Sequence, residues 1–279
     1  MNRAPSEFFR TLFSSKNTHS FPLGALSFRC NICGADNYIP ARAISRESGA
    51  CRICGSTVRF RSLAAALTKR LFKRIDVLEE IDARRDIQGM GMSDDRCYAS
   101  RLTEKFSYTN TFFHCEPFLD IAELDEKWFG HHDFVISSDV FEHVAPPVQR
   151  AFDNLFRALK PGGVAVFSVP FSLEPESTEH FPNLFDYSVS EVRSGEWKLK
   201  NLTREGATEE YGDLVFHGGP GTTLEMRLFS LPALERHFRA AGFTDFRVHN
   251  ESDYEFGIFW PEPWSITISA LRPNQQQSD

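Results

Sequence analysis

The chain has 279 residues and a mass of 31.8 kDa, with 41% hydrophobic and 25% charged residues. This composition excludes a disordered, collagen-like or fibrous chain and predicts one enzyme-sized domain with a small addition. No apolar run reaches the roughly 18 residues of a transmembrane helix, and residues 1–24 lack the apolar core of a secretory signal. We therefore expect a cytoplasmic protein, without a membrane partner, in which residues 1–24 form an N-terminal arm.

The net charge of −7 is unevenly distributed along the chain. Residues 1–75 hold 13 Lys and Arg against three acidic residues, a net charge of +10, so the remainder carries −17. An acidic body argues against a nucleic-acid-binding surface over the whole molecule, although the basic head alone could contact phosphate or an acidic partner. The alternative is a basic module that docks onto the acidic body.

Four of the six cysteines form two Cys-x2-Cys pairs separated by 17 residues, and these are Cys30, Cys33, Cys51 and Cys54. This spacing is typical of a four-cysteine zinc site, and a glycine after each pair suits the positive φ of a knuckle turn. We predict a zinc ribbon over residues 25–57. Its zinc would be structural, because four thiolates leave no open coordination position. Two disulfides or an iron centre are the alternatives.

Residues 58–79 are predicted to link the ribbon to the body through an amphipathic helix. Leu63, Leu67 and Leu71 recur near one stripe of residues 58–74. The arginines on the other face of this helix are expected to be solvated.

From about residue 80 strands and helices alternate, which predicts a parallel sheet covered by helices. The strands are expected at 86–94, running into a glycine turn, and at 108–114, 132–138, 164–169, 243–249 and 264–271, the last two as an antiparallel hairpin. The helices are expected at 95–106, 146–159 and 231–241. Residues 171–230 are too many for an ordinary connection, and so long an insertion is typical of a lid or binding loop.

Three motifs of the body resemble those of a known family. A Gly-Met-Gly run at 89–91 follows a strand, residues 133–144 read D-F-V-I-S-S-D-V-F-E-H-V, and residues 159–164 read L-K-P-G-G-V. Over about residues 82–271 the chain resembles class I S-adenosylmethionine-dependent methyltransferases, particularly the type 11 group, some of which carry an N-terminal zinc ribbon. The resemblance implies an α/β fold, with a Rossmann-like sheet of seven strands in the order 3-2-1-4-5-7-6. Residues 80–279 would form this methyltransferase domain.

The resemblance implies that S-adenosylmethionine lies across the carboxyl ends of strands 1, 2 and 4. Gly89 and Gly91 lack a Cβ, which lets a ligand approach the backbone. Ser138 and Asp139 end the fourth strand, where the family lines the methyl-bearing side of the cofactor. Ser93 stands where the family often has a third glycine.

Two carboxylates are candidates for the adenosine end of the cofactor. Glu116 is the candidate for accepting both ribose hydroxyls, a role that such cofactors require of an acidic residue. Asp120 resembles the family's aspartate near the adenine amino group, and the alternative is a turn or cap residue. The helix that usually separates these two positions is missing, so the two roles remain exchangeable.

Three histidines, His143, His180 and His217, are the candidate catalytic bases. An imidazole titrates near working pH, and a base helps a hydroxyl acceptor more than an amine. The alternatives are that His143 only packs or orients its loop, and that His180 and His217 satisfy backbone groups of the insertion.

The primary hypothesis is an S-adenosylmethionine-dependent methyltransferase acting on a small polar acceptor, such as a hydroxyl of a sugar or secondary metabolite. The alternatives are an RNA methyltransferase that uses the basic ribbon, and a non-catalytic interaction protein with a methyltransferase fold. Whether the chain forms a homo-oligomer stays open.

Overall fold

The structure is a computed structural model of the chain, and it describes residues 24–262 and 264–274. Apart from Gly24, the predicted N-terminal arm lies outside the described residues. No helix in the described part of the chain is both long and apolar enough to cross a membrane.

The first described element is a small ribbon. Strands β1 (Ala25–Arg29) and β2 (Asp36–Pro40) form an antiparallel hairpin. The first cysteine pair lies in the turn between these strands and the second pair in the loop before helix α1 (Val58–Phe72). Leu26, Phe28 and Val58 belong to the same apolar cluster as one face of the central sheet, so the ribbon and body share a core.

The arginines of α1 contact protein groups on the body and ribbon. Arg61 is fully buried and donates to the carbonyl oxygens of Ser56 and Gly257. Arg70 donates to the Asp245 carboxylate and to Ser269 Oγ. The expectation of solvated arginines is therefore wrong for Arg61 and Arg70, whereas Arg74 is exposed. A guanidinium is buried here only with acceptors around it, because an unpaired buried charge is very costly.

A six-stranded mixed sheet forms the centre of the body. Its strands are β3 (Arg84–Met92), β4 (Phe106–Thr111), β5 (His132–Ser138), β6 (Leu159–Ser168), β15 (Thr244–Val248) and β16 (Ile268–Leu271). They lie in the order β15-β16-β6-β5-β3-β4. The four strands β3 to β6 are parallel, whereas β16 is antiparallel to both of its neighbours. The predicted antiparallel terminal pair is confirmed.

The expected seven-stranded sheet is not found among the described residues. In the expected numbering the observed order is 2-1-4-5-7-6, so the missing strand is the edge strand 3. Residues 112–131, between β4 and β5, contain only 3-10 turns at Ile121–Glu123 and Glu126–Trp128. A further parallel strand needs a crossover of a dozen or more residues on each side, and this segment is too short for two. Strand β4 is therefore the sheet edge.

Helices cover both faces of this sheet. Helices α1 and α2 (Arg96–Lys105) contribute to the cluster on one face, and α3 (Gln149–Ala158) and α4 (Leu231–Ala240) to the cluster on the other. The second cluster is rich in phenylalanine: Phe152 and Phe238 are fully buried with ring centroids 5.1 Å apart and nearly perpendicular. Many of the chain's 27 phenylalanines thus serve the core.

The insertion between β6 and α4 has its own small sheets. Its strands are β7 (Phe171–Ser172), β8 (Thr178–Glu179), β9 (Asp186–Arg193), β10 (Glu196–Leu202), β11 (Thr208–Tyr211), β12 (Phe216–His217), β13 (Thr223–Leu224) and β14 (Arg227–Ser230). Strands β9 to β11 form one antiparallel sheet, and β14 pairs with both β7 and β8. A separate apolar cluster around Phe181 and Leu199 fills the insertion.

Candidate active site

The carboxyl ends of β3, β4 and β5 meet at one edge of the sheet, where parallel α/β sheets place their ligands. Ser93 follows β3 with a φ of +57°, and Asp139 follows β5 with a φ of +55°. The amide of Ser93 donates to the carbonyl oxygen of Thr111, and that of Asp139 donates to the carbonyl oxygen of Ser168. Both loops are therefore fixed by a hydrogen bond to the neighbouring strand.

Gly89 and Gly91 lie within β3 rather than in a turn after it. A Cβ on Gly89 would lie 2.1 Å from the ring of Phe134, and one on Gly91 would lie 1.9 Å from Tyr108 Oη. The room above the two glycines is thus filled by the protein's own side chains. A ligand therefore cannot approach Gly89 or Gly91 from the side on which a Cβ would lie. Contact between the cofactor and the end of β3 stays a prediction.

Asp94 is buried directly behind Gly91. Its Oδ2 accepts a 2.5 Å hydrogen bond from Tyr108 Oη, and its Oδ1 has no hydrogen-bond partner among the described residues. Burial raises the pKa of this carboxyl to about 7. Asp94 and Tyr108 therefore form a hydrogen-bonded pair in the protein interior.

The two candidate carboxylates for adenosine lie in different surroundings. Glu116 is exposed in the loop after β4, and its carboxylate accepts from the amide of Phe118. Asp120 is half-buried and caps the next 3-10 turn by accepting from the amide of Ala122 at 2.8 Å. The alternative capping role of Asp120 is thus present in the structure. Partial burial, with the charge of Asp120, raises the pKa of Tyr187 in strand β9 of the insertion.

Two arginines of the ribbon and α1 contact the end of β5. Arg59 Nη1 donates to Ser138 Oγ at 2.6 Å and lies 3.3 Å from Asp139 Oδ2. Arg46 Nη2 donates to Asp139 Oδ1 at 2.5 Å. The Glu47 carboxylate joins the two guanidiniums. The sequence did not predict these contacts, because Arg46 and Asp139 are 93 residues apart in the chain. The excess of arginine in residues 1–75 was the sequence feature that pointed toward them.

The three candidate histidines lie together with two glutamates, and we name this group the His–Glu cluster: Glu142, His143, His180, His217 and Glu225. The first two follow β5 in a 3-10 turn, and the other three come from the insertion. The Glu225 carboxylate accepts from His180 Nε2 at 2.9 Å, and its other oxygen lies 3.0 Å from His217 Nε2. The rings of His143 and His217 are perpendicular, with centroids 4.7 Å apart. The insertion therefore closes onto the loop after β5.

Glu142 is the most unusual member of the cluster. It is completely buried, and neither carboxylate oxygen has a hydrogen-bond partner in the described part of the chain. Burial, with the negative charge of Asp139, raises the pKa of Glu142 well above its usual range. Burial also lowers the pKa of His143, whose Nδ1 lies 2.9 Å from the carbonyl oxygen of Leu224.

The four paired cysteines of the ribbon converge at a separate place. Their sulfur atoms all lie within 4.8 Å of one another, with Cys30 and Cys54 3.7 Å apart and Cys33 and Cys51 3.6 Å apart. All four are free thiols. Ser56 Oγ lies 3.2 Å from the sulfur of Cys30.

Comparison with known proteins gives one family and a set of similar folds. A family model described as a methyltransferase domain matches residues 81–248. No curated protein sequence matches the chain significantly.

Many solved structures match, and three illustrate their range. The 1,6-didemethyltoxoflavin N1-methyltransferase of Burkholderia thailandensis, solved with its substrate and S-adenosylhomocysteine, is 15% identical, with a TM-score of 0.40, over 76% of this chain and 77% of that one. The CurJ carbon methyltransferase is 12% identical, with a TM-score of 0.46, over 78% and 56% of the two chains. An S-adenosylmethionine-dependent methyltransferase of Mesorhizobium loti is 15% identical, with a TM-score of 0.40, over 78% and 100%.

Proposed function

Because the chain belongs to the methyltransferase-domain family and is a class I S-adenosylmethionine-dependent enzyme, we propose that it methylates a hydroxyl of a small polar acceptor such as a sugar or secondary metabolite. The observation that carries this proposal is the His–Glu cluster beside Asp139 at the carboxyl edge of the sheet. A hydroxyl must lose its proton as it is methylated, and imidazole and carboxylate groups are the usual proton acceptors.

S-adenosylmethionine, when bound, supplies a methyl group that its sulfonium already activates. The donor set at the carboxyl edge fits this cofactor, whose amino-acid end carries an ammonium and a carboxylate. Asp139 and Arg59 offer groups of both signs side by side, with side chains 20% and 16% exposed. We assign Ser138 and Asp139 to this end of the cofactor.

The remaining predicted contacts belong to the same proposal. Gly89 and Gly91 would contact the cofactor through the end of β3, and the carboxylates of Glu116 and Asp120 would serve the adenosine. Both carboxylates lie on the loop between β4 and β5, at the same edge of the sheet. We place the ribose on Glu116, because Glu116 is exposed, whereas Asp120 is half-buried and caps a 3-10 turn.

The acceptor would lie between the cofactor and the insertion. There, His143, His180 and His217 would orient the hydroxyl and receive its proton. Glu225 holds two of these rings, since it accepts from His180 Nε2 and lies 3.0 Å from His217 Nε2. Alignment of the acceptor is the main contribution of a protein to a displacement reaction.

For the ribbon we propose a structural zinc ion bound by the four thiolates. In a tetrahedral site with zinc–sulfur bonds of about 2.3 Å the sulfurs are roughly 3.8 Å apart, close to the 3.6 and 3.7 Å measured here. The ion would hold the ribbon loops in place, and through them Arg46 and Arg59.

The cofactor assignment is tested by isothermal titration with S-adenosylhomocysteine. Asp139→Asn keeps the shape and tolerates the left-handed φ but removes the charge, and we expect about a tenfold loss of affinity, equivalent to about 1.4 kcal/mol. Asp213→Asn is the matched control, because Asp213 has a φ of +51° and is exposed in the insertion. Equal affinity in both variants would contradict the assignment of Asp139.

The acceptor class is tested with radiolabelled S-adenosylmethionine and panels of sugars, hydroxylated metabolites, amines and RNA. Methylation of a hydroxyl compound supports the proposal, and methylation confined to amines or RNA contradicts it. The RNA alternative rests on the +10 head, but Arg46, Arg59, Arg61 and Arg70 are already engaged with protein groups. No contact in the described chain favours it.

A further inference from the structure

Three ligand atoms of the His–Glu cluster converge on one point. Glu142 Oε1 lies 3.7 Å from His143 Nε2 and 3.9 Å from His217 Nδ1. All three ligand atoms lie within 4.8 Å of one another. We name these residues the triad: Glu142, His143 and His217.

The other nitrogen of each triad histidine faces an acceptor. His143 Nδ1 is 2.9 Å from the carbonyl oxygen of Leu224, and a carbonyl can only accept. His217 Nε2 is 3.0 Å from the Glu225 carboxylate. In the neutral rings the protons therefore lie on these outer nitrogens, and both inner nitrogens present lone pairs. Two lone pairs and a carboxylate oxygen thus face one another, and no residue within 24–262 or 264–274 donates a hydrogen bond to that carboxylate.

We propose that the triad binds a divalent transition-metal cation. This is a second metal site, separate from the four cysteines, and it deepens the proposed function because it lies where the acceptor would bind. Two imidazoles and one carboxylate form a ligand set for such metals that leaves coordination positions open.

The surroundings favour a cation at this point. Metal-binding histidines almost always donate their other N–H to a carboxylate or a backbone carbonyl, and the triad histidines have one partner of each kind. Glu142 is completely buried with two unpartnered oxygens. The basic groups at the adjoining loop are Arg46, Arg59 and Arg227, and each is engaged with other protein groups. Arg46 and Arg59 contact Asp139, Ser138, Glu47 and the carbonyl oxygen of Ser265. Arg227 contacts the Glu179 carboxylate and donates to the carbonyl oxygens of Phe141 and Val144.

The distances suit an ion better than a shared proton. A hydrogen bond would join Glu142 to a histidine over about 2.7–3.2 Å, whereas the gaps are 3.7 and 3.9 Å. With metal–nitrogen bonds of about 2.0–2.1 Å the ligand atoms would be roughly 3.3 Å apart. The two gaps to Glu142 exceed this separation by about 0.4 and 0.6 Å.

Resting on the proposed function, the cation would bind the acceptor hydroxyl at an open position. Coordination lowers the pKa of a bound oxygen and orients it. With His143 and His217 serving as ligands, His180, which contacts Glu225, would be the histidine left to receive the proton of the hydroxyl.

The site is tested directly by titrating the zinc-loaded full chain with Co²⁺, without cofactor or acceptor. We expect one added cobalt per chain by elemental analysis. Its visible bands should be those of nitrogen and oxygen ligands, without the sulfur charge-transfer band of a thiolate site. His217→Ala should abolish this binding, and Glu225→Gln should weaken it about 10-fold to 100-fold, as expected when a metal ligand loses its orienting partner.

Two further variants keep the test independent of folding and of the methyltransferase assignment. Glu142→Gln preserves the buried shape and should lose cobalt while keeping S-adenosylhomocysteine affinity. His114→Ala removes an exposed histidine outside the triad and should bind cobalt like the native chain. Absence of the nitrogen–oxygen spectrum in the native chain, or its persistence in Glu142→Gln and His217→Ala, would overturn the metal site. If the native chain fails to bind S-adenosylhomocysteine, the proposed function is overturned instead.

Discussion

Replacing Gly91 with alanine is expected to destabilise the protein strongly, although the change adds one methyl group. An added Cβ would lie 1.9 Å from Tyr108 Oη and 2.2 Å from Asp94 Oδ2, and these two atoms share a 2.5 Å hydrogen bond. Overpacking costs about 1–3 kcal/mol, and a buried hydrogen bond left unmade costs about 1–3 kcal/mol. We expect the free energy of unfolding to fall by about 4 kcal/mol and the melting temperature by about 10 °C.

Urea and thermal unfolding followed by circular dichroism measure this loss. Gly212→Ala is the control, because nothing lies within 4 Å of a Cβ there, and its effect should stay within about 0.5 kcal/mol. In a Tyr108→Phe background, which lacks the closest oxygen, Gly91→Ala should cost about 1 kcal/mol less. A stability loss below about 0.5 kcal/mol, combined with lost cofactor affinity, would refute the packing argument and show that the glycine faces the cofactor.

Three other perturbations test the structure. Because burial raises the pKa of Asp94 from 3.8 to about 7, the native state retains a proton that the unfolded chain releases, so this group's stabilisation is lost as pH rises from about 4 to 7. In the native chain the free energy of unfolding should therefore fall by up to roughly 4 kcal/mol over this pH range, and Asp94→Asn should remove that fall. Urea unfolding between about pH 4 and pH 7 measures it. Arg227→Met removes the side chain that donates to the carbonyl oxygens of Phe141 and Val144 and to the Glu179 carboxylate, and should lower the free energy of unfolding by about 2 kcal/mol. Cys33→Ser or a strong chelator should lower the melting temperature and the zinc content together, as elemental analysis would show.

Periodicity located the elements of the body well. Strand β5 spans the predicted residues 132–138, and helix α4 ends one residue before the predicted position. These segments are continuous apolar runs or strongly periodic stretches with clear stop signals, so local sequence determines them. The methyltransferase fold and the family followed from motifs within the same body.

The sheet edge and the packing of the glycines were beyond sequence reasoning. The resemblance implied a seventh strand. The segment between β4 and β5 has only 20 residues, which is too short for that strand and its two crossovers. Gly89 and Gly91 carried a familiar motif, but the side chains above them come from β4, β5 and the start of α2. Which side chain fills a space is a property of tertiary packing, and the pattern within one strand does not contain it.

The site shows the same division. The three histidines were predicted individually, but the contacts of His180 and His217 with Glu225 depend on how the insertion folds back. The burial of Glu142 and the reach of Arg46 to Asp139 likewise join segments far apart in the chain.

The insertion leaves and re-enters the body at adjacent places, because Phe171 pairs with Phe229 and Ser172 with Ser230. A segment with adjacent ends behaves as a closed loop, and each doubling of its length costs only about 0.6 kcal/mol. Residues 173–226 are thus an exchangeable module: they can be lengthened, shortened or replaced without displacing α4. Since this module carries three of the five members of the His–Glu cluster, its exchange would redesign acceptor recognition while the sheet edge kept its cofactor chemistry.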